Sequence, residues 1–241
     1  MVHLLSGPLP LYVVNEFPKS GGTSVGQILG RALGVPFRRN RFPALRPSIM
    51  HGHYLRPWGI KNVVVVWRDG RDVMVSWYHQ QLIPHGLNEL QVERSRRELP
   101  LDDYGDVRRN LPAFIEYAFT RPHDPAFSWS EFVRRWRDRK DAVHVRYEDL
   151  LRDTPGELRR VFRELTGERL SAERASAIAE EFSFERQARR RPGQEDRGSF
   201  LRKGVAGDWR NYFGPEARRV FDRYAGEELI LLGYERDRSW V

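Results

Sequence analysis

Residues 62–67 read Asn62-Val-Val-Val-Val-Trp67, an unbroken apolar run of β-branched residues. Such a run predicts a strand buried on both faces, as in a parallel sheet that is covered by helices. Residues 69–81 carry apolar side chains at helical spacing and predict a helix. Upstream, the sequence predicts a strand over 11–15, a polar loop over 17–24, and a helix that ends at Gly34.

The rest of the chain continues the alternation of strands and helices. A third strand is predicted over 142–147, and a short one near 49–50. Further helices are predicted over 111–120, 129–139, 155–166, 171–182 and 215–232. Irregular backbone is predicted for 35–59, 82–110 and 184–208. We therefore expect an α/β fold with a central parallel sheet flanked by helices, in a single domain over residues 1–241.

The composition is that of a folded chain with an excess of positive charge. Of the 241 residues, 40% are hydrophobic and 31% are charged, which excludes a disordered chain, and no apolar run is long enough to span a membrane. The chain has no cysteine, which excludes disulfides, zinc–thiolate sites, iron–sulfur clusters and a cysteine nucleophile. The first ten residues lack the features of a signal peptide, so we expect a cytoplasmic protein.

The basic residues point to an anionic ligand. The formal net charge is +8, and only four of the 41 basic residues are lysine, a bias typical of a GC-rich genome. The arginine fork suits phosphate and sulfate. Because the arginines are mostly interleaved with acids rather than concentrated on one element, we expect no nucleic-acid partner.

The loop Pro18-Lys-Ser-Gly-Gly-Thr-Ser24 predicts a phosphate site. Its two glycines let consecutive backbone N–H groups turn towards one point, and the following helix adds its positive N-terminal end. In a Walker A loop the lysine follows the last glycine, whereas Lys19 precedes both glycines. The strand over 62–67 ends in Arg68 rather than in the aspartate that would hold a metal. The loop is therefore predicted to bind phosphate without magnesium.

Two further motifs carry groups that bind anions. In Arg68-Asp-Gly-Arg-Asp-Val-Met-Val-Ser76, a guanidinium at the carboxyl end of a strand precedes a hydroxyl two turns into the next helix. In Arg202-Lys-Gly-Val-Ala-Gly-Asp-Trp209, two adjacent cations precede Gly204, which permits close approach of the backbone to an anion.

The three motifs, and their order along the chain, resemble those of the sulfotransferases that use 3′-phosphoadenosine 5′-phosphosulfate (PAPS). We expect the protein to be a bacterial member of that family. The third motif matches in full, and the second matches at Arg68, Asp72 and Ser76. In the first motif, Gly22 replaces a threonine and Ser24 stands where the family often has a tryptophan that stacks on adenine. The resemblance spans about residues 11–213 and implies a P-loop-like strand–loop–helix site.

The resemblance implies a role for each matching residue. The residues implied to bind the 5′-phosphosulfate are Lys19, Ser20, Gly21, Gly22, Thr23 and Ser24. Those implied to bind the 3′-phosphate are Arg68, Ser76, Arg202, Lys203 and Gly204. Tyr147 is implied to lie beside the adenine, and Phe184 to stack on it. PAPS would be the donor and 3′-phosphoadenosine 5′-phosphate (PAP) the product, with no metal.

The segment Met50-His-Gly-His-Tyr54 supplies the candidate base. The family's base is a histidine in Lys-x-His; His53 takes the histidine position and His51 the lysine position. We predict that His53 takes the acceptor's proton, with His51 as the alternative, while Lys19 stabilises the developing charge. A metal site at the two histidines is not expected, since the sequence shows no carboxylate near them.

These features predict a sulfotransferase that acts on a hydroxyl, or less readily an amine, of a small molecule, carbohydrate or lipid. A P-loop-type kinase is one alternative, which the missing Gly-Lys-Ser/Thr and metal-binding aspartate disfavour. A non-catalytic anion- or nucleotide-binding module is another, which the candidate base disfavours. Residues 35–59 and 82–128 are expected to form the acceptor pocket, and the acceptor and the oligomeric state stay open.

Overall fold

The chain folds into two compact units. The computed structural model describes residues 11–39, 46–56 and 59–241. The first unit is built from residues 1–68 and 135–190, and the second from residues 69–134 and 191–241. Within the described ranges, no helix is both long and apolar enough to cross a membrane. The single domain over 1–241 stays a prediction.

A parallel sheet of five strands forms the first unit. Its strands, within the described residues, are Leu11–Glu16 (β1), Phe37–Arg39 (β2), Ser48–Gly52 (β3), Val63–Trp67 (β4) and Val143–Arg146 (β5). They lie in the order β2-β3-β1-β4-β5, and all neighbouring pairs are parallel. Every residue of β3 and β4 is buried. The α/β class with a parallel sheet is thereby confirmed.

Helices occupy most of the remaining described chain. In chain order they are Gly22–Leu33 (α1), Gly70–Leu82 (α2), Glu89–Glu98 (α3), Val107–Thr120 (α4), Trp129–Trp136 (α5), Tyr147–Arg152 (α6), Thr154–Thr166 (α7), Ala172–Glu181 (α8), Phe184–Ala188 (α9) and Pro215–Leu231 (α10). A short 3₁₀ helix covers Asp208–Asn211.

The core of the first unit lies between the sheet and helices α1, α7 and α8. Val64 and Val66 point to this side, as the two-residue period of a strand requires. They join the apolar faces of the helices, represented by Ile28, Leu158 and Ile178. The apolar residues whose helical spacing follows the phosphate loop therefore form the face of α1 that packs on the sheet.

The prediction of irregular backbone is wrong in three segments. Residues 35–59 contain β2, residues 82–110 contain α3 and the start of α4, and residues 184–208 contain α9. The short strand predicted near 49–50 is confirmed as β3. Helix α3 has only Val92 and Ser95 buried, so its apolar period is too weak to recognise in the sequence. Tyr147, expected at the end of a strand, begins α6.

The strand order brings three strand ends together in the first unit. After β1 the chain forms β2 and β3 on one side of it and then crosses to form β4 on the other, which makes the carboxyl end of β1 a topological switch point. Asn15 pairs with Gly52, and Glu16 pairs with Val66. Residues at the ends of these strands therefore share one edge of the sheet, where open α/β sheets bind ligands.

The packing of α1 on β2 depends on Gly26. A Cβ built there would lie 2.1 Å from Cε2 of Phe37. We expect Gly26→Ala to lower the free energy of unfolding by about 1–3 kcal/mol, because overpacking outweighs the better helix propensity of alanine. Urea unfolding followed by circular dichroism measures the change. In the control Gly198→Ala the new methyl meets only Asp196, at 3.4 Å; equal losses in both variants would contradict the prediction.

Candidate active site

A buried carboxylate lies at the start of α1. Glu16 ends β1, and its Oε2 accepts a hydrogen bond of 2.5 Å from the N–H of Gly22, the first residue of α1. Its Oε1 lies 2.8 Å from Nε2 of His51. Burial alone would raise the pKa of Glu16, but the hydrogen bond and charge of His51, the charge of His53 and the Gly22 N–H together lower it. Glu16 is therefore ionised and neutralises part of the helix dipole.

Gly22 gives this carboxylate the space that it needs. A Cβ on Gly22 would lie 2.6 Å from Cδ of Glu16 and 2.9 Å from Nε2 of His51. The threonine found at this position in the resembling motif would collide with the pair. The departure of Gly22 from the motif thus has a local steric reason.

The phosphate loop has unusual backbone geometry. Gly21 has φ 102°, and Lys19 has φ 71°, which is uncommon for a residue other than glycine. The carbonyl of Lys19 accepts a hydrogen bond of 3.0 Å from Nη1 of Arg68. Two N–H groups that were expected to face a phosphate have internal partners, since Ser20 donates to the carbonyl of Phe17 and Gly22 donates to Glu16. An anion in the loop would compete with Glu16 for the Gly22 N–H.

Arg68 and Tyr147 pack beside this loop. The guanidinium of Arg68 lies 4.6 Å from the centre of the Tyr147 ring, within cation–π distance. The same ring covers Gly21, where a Cβ would lie 2.5 Å from Cδ2 of Tyr147. The structure thus brings together the phosphate loop, Arg68 and Tyr147.

His53 lies beside Glu16 at the end of β3. Its Nδ1 is 2.9 Å from the backbone carbonyl of Glu16. A carbonyl can only accept, so Nδ1 carries the proton and Nε2 holds the lone pair when the ring is neutral. His51 is 2% exposed, and its Nε2 faces the Glu16 carboxylate. This geometry suits His53, rather than His51, to take a proton.

The expectation that no carboxylate lies near the two histidines is wrong. One ligand atom from each of Glu16, His51 and His53 can be chosen so that the three lie within 4.8 Å of one another. Glu16 and His51 are 35 residues apart in the chain, so no local motif indicated their contact. The available signal was an acidic residue that ends an apolar strand directly before a phosphate loop.

In the second unit, Asp72 anchors the segment that contains the third motif. Its carboxylate accepts hydrogen bonds from the N–H groups of Gly207, at 2.6 Å, and Trp209, at 2.8 Å. Asp72 is 1% exposed. Ser76 lies one turn further along α2 and is partly exposed. The aspartate of the second motif thus holds the backbone of the third.

The two cations of the third motif are paired with carboxylates. Asp208 accepts from Nη2 of Arg202, at 2.6 Å, and from Nζ of Lys203, at 2.5 Å. Arg202 also bonds Glu195. Burial alone would raise the pKa of Asp208, but these hydrogen bonds lower it. Gly204 follows with φ 66°, in the region that favours glycine.

The remaining predicted positions fall outside these clusters. Phe184 begins α9, where the guanidinium of Arg190 lies 5.2 Å from the centre of its ring. Its stacking on adenine stays a prediction. Residues 1–10, 40–45 and 57–58 lie outside the described residues, and with them parts of the expected acceptor pocket.

A family model described as "Sulfotransferase domain" matches residues 59–233. The chain belongs to the sulfotransferase family. Sulfotransferase 1C2 of Homo sapiens is 28% identical over 170 residues, which cover 65% of this chain and 51% of that protein. Amine sulfotransferase of Oryctolagus cuniculus is 24% identical over 196 residues, which cover 73% and 58%. The chain therefore spans little more than half the length of these curated relatives.

The structural comparison supports the same sulfotransferase fold. The crystal structure of mouse sulfotransferase SULT7A1 complexed with PAP is similar with a TM-score of 0.68 and 21% sequence identity. The match covers 98% of this chain and 89% of the mouse chain.

Removal of the Asp72 charge should weaken the second unit. In Asp72→Asn, the side-chain oxygen can still accept from one of the two backbone N–H groups, but the side-chain NH₂ faces the second N–H, to which it cannot bond. We expect the free energy of unfolding to fall by about 1.5–3 kcal/mol, the range for hydrogen bonds to a charged group. Urea unfolding measures this loss. Asp102→Asn, whose carboxylate is exposed, should change it by less than about 0.5 kcal/mol; a similar loss there would contradict the assignment.

His79 should make stability depend on pH. Burial, together with the nearby charge of Arg202, lowers the pKa of His79 from 6.5 to about 3. Between these values the unfolded chain binds a proton that the folded chain does not, so the free energy of unfolding falls as the pH falls. The slope from this residue reaches at most about 1.4 kcal/mol per pH unit.

His79→Gln tests this titration. Its free energy of unfolding should depend less on pH than that of the wild type, with a constant difference between the two above about pH 7. Urea unfolding at several values between about pH 4 and 7.5 measures both curves. Parallel curves over that range would contradict the prediction.

Proposed function

We propose that the protein transfers a sulfuryl group from PAPS to an acceptor hydroxyl without a metal. The observation that carries this proposal is the cluster at the sheet edge, where the phosphate loop, Arg68 and Tyr147 lie together and His53 follows the adjacent strand. Membership of the sulfotransferase family and the PAP complex of the mouse structural neighbour support PAPS as donor and PAP as product.

We propose that the protein binds PAPS through its two anionic groups, the 5′-phosphosulfate and the 3′-phosphate. We assign the 5′-phosphosulfate to Lys19 and the N–H groups of residues 20–24, where it would displace Glu16 from Gly22. The 3′-phosphate is assigned, as the family resemblance implies, to Arg68, Ser76, Arg202, Lys203 and Gly204. Arg68 already bonds the carbonyl of Lys19, so one guanidinium would connect the two phosphate positions. Tyr147 and Phe184 are assigned to the adenine.

The proposed transfer is in-line. Nε2 of His53 takes the proton of the acceptor hydroxyl as its oxygen attacks the sulfur. The bond between sulfur and the bridging oxygen breaks, and the electron pair leaves with PAP. Lys19 and the helix N-terminus stabilise the charge that grows on the leaving phosphate. The Glu16 carbonyl holds the His53 ring in the tautomer that this step requires.

The acceptor is proposed only as a class. A hydroxyl on a small molecule, carbohydrate or lipid fits the family, and the name of the amine sulfotransferase relative keeps an amine as a less favoured acceptor. The bacterial source, the cytoplasmic location and the absence of a nucleic-acid partner stay predictions.

Calorimetry with PAP tests the donor site directly. In magnesium-free buffer, we expect PAP to bind at least about tenfold more tightly than ADP or AMP, because only PAP carries the 3′-phosphate; tenfold corresponds to about 1.4 kcal/mol. Arg68→Met should remove most of this preference. Arg152→Met, at a side chain 77% exposed in the same unit, is the control and should bind PAP like the wild type.

The other outcomes separate the alternative functions. ADP binding that equals PAP binding or requires magnesium would replace the proposal with a kinase. Binding of no nucleotide would leave a module without donor activity. Circular dichroism of Arg68→Met establishes whether a loss of binding reflects the missing guanidinium or a failure to fold.

His53→Asn tests the catalytic base. Asparagine retains a donor for the Glu16 carbonyl but cannot take a proton, so transfer from PAPS to an alkyl alcohol, which stays protonated at neutral pH, should fall about 100-fold or more. PAP binding, measured by calorimetry, should stay within about threefold of the wild type. A variant that retains its transfer rate would exclude His53 as the base.

A further inference from the structure

We propose that Glu16, His51 and His53 form a binding site for a divalent transition-metal ion of the Zn²⁺ class. The ion would take no part in the proposed sulfuryl transfer. Two imidazoles and one carboxylate are ligands that zinc, cobalt and nickel accept, whereas magnesium and calcium prefer oxygen ligands alone. Their ligand atoms, one from each residue, lie within 4.8 Å of one another.

The three residues are held by the sheet rather than by flexible loops. Glu16 ends β1 and His51 lies within β3, the strand beside it. The pairing of Val14 with His51 fixes the register of the two strands. His53 follows directly after β3 and bonds the backbone of Glu16. The sheet therefore sets the backbone positions of all three residues.

His53 and Glu16 have supporting hydrogen bonds of the kind that metal ligands use, whereas the buried Nδ1 of His51 has no hydrogen-bond partner among the described residues. A metal-bound histidine normally donates its other ring N–H to a carbonyl or carboxylate, and Nδ1–H of His53 donates to the Glu16 carbonyl. This leaves Nε2 as the ligand nitrogen. The N–H of Gly22 bonds Oε2 of Glu16, while His51 lies against the other carboxylate oxygen, Oε1. The Gly22 N–H thus orients the carboxylate.

One pair of donor atoms, on Glu16 and His51, is close to the spacing of a metal site, whereas the set of three lies within 4.8 Å and would have to tighten around an ion. With metal–nitrogen and metal–oxygen distances of about 2.0 Å and tetrahedral angles, two ligand atoms are separated by about 3.3 Å. Nε2 of His51 and Oε1 of Glu16 are 2.8 Å apart. An ion that replaces the shared proton therefore requires these atoms to separate by about half an ångström. Side chains that are 2% and 5% exposed would shield the ion from solvent.

The consequence for catalysis rests on the proposed function. An ion bound to Nε2 of His53 occupies the lone pair that would take the acceptor's proton. Zinc is then an inhibitor of sulfuryl transfer, and a chelator restores the rate. Metal binding itself requires neither PAPS nor an acceptor, so it is measured independently of activity.

The test titrates Zn²⁺ into chelator-treated protein by calorimetry, without nucleotide, and repeats the titration with Co²⁺ by visible absorption. We expect one ion per chain and the intense absorption bands of tetrahedral cobalt. Mutation of residues that only support a metal ligand typically weakens metal binding by roughly 10–100-fold. Because Glu16→Gln and His53→Asn change ligands themselves, each should weaken binding by more than that. His123→Ala, which removes a histidine 3.8 Å from Glu98, is the control and should bind like the wild type.

Three results would overturn the proposal. They are the absence of metal binding by the wild type, equal binding by Glu16→Gln and His53→Asn, and a loss in His123→Ala as large as theirs. Glutamine retains an acceptor for the Gly22 N–H, and thermal unfolding of each variant establishes that it is folded. PAP calorimetry on the metal-free protein tests the donor site separately. Failure of the metal-site proposal can therefore be distinguished from failure of the proposed function.

Discussion

The buried carboxylate of Glu16 connects two strands and a helix at the edge of the sheet in the first unit. It joins the end of β1 to the first N–H of α1 and to His51 on β3, while its backbone carbonyl orients His53. A charge buried in this way depends on its partners, since removal of one partner of a buried pair typically costs about 3–5 kcal/mol. The loop, the helix and both histidines are therefore coupled through one group.

The same principle operates in both units. In the first, Glu16 occupies an N–H of the phosphate loop; in the second, Asp208 and Glu195 occupy the cations of the third motif. At both places, groups proposed to bind an anion have a carboxylate partner from their own unit. If PAPS binds as proposed, its phosphates would replace internal carboxylates as partners of these groups. The loss of the internal contacts would lower the net affinity, and weaker anions would not compensate for it.

The sequence was informative where the chemistry is local. The run 62–67 and the strand–loop–helix around Lys19 could be predicted because contiguous residues determine them. Strand β3 was harder to recognise, since its histidine and glycine interrupt the apolar pattern, and α3 buries too few side chains to show a period. The pair of Glu16 and His51 could not be predicted, because it depends on strand order and register, which bring residues 35 apart into contact.

Two departures from the family motifs have one physical explanation. A histidine at position 51 places an imidazole, rather than the longer chain of a lysine, against Glu16. A glycine at position 22 removes the Cβ that would collide with both partners. Neither change is informative alone, because a glycine in a loop and a histidine in a strand are each compatible with many structures. Together with Glu16 they describe one buried contact, so the three positions are expected to change as a set whenever the carboxylate is absent.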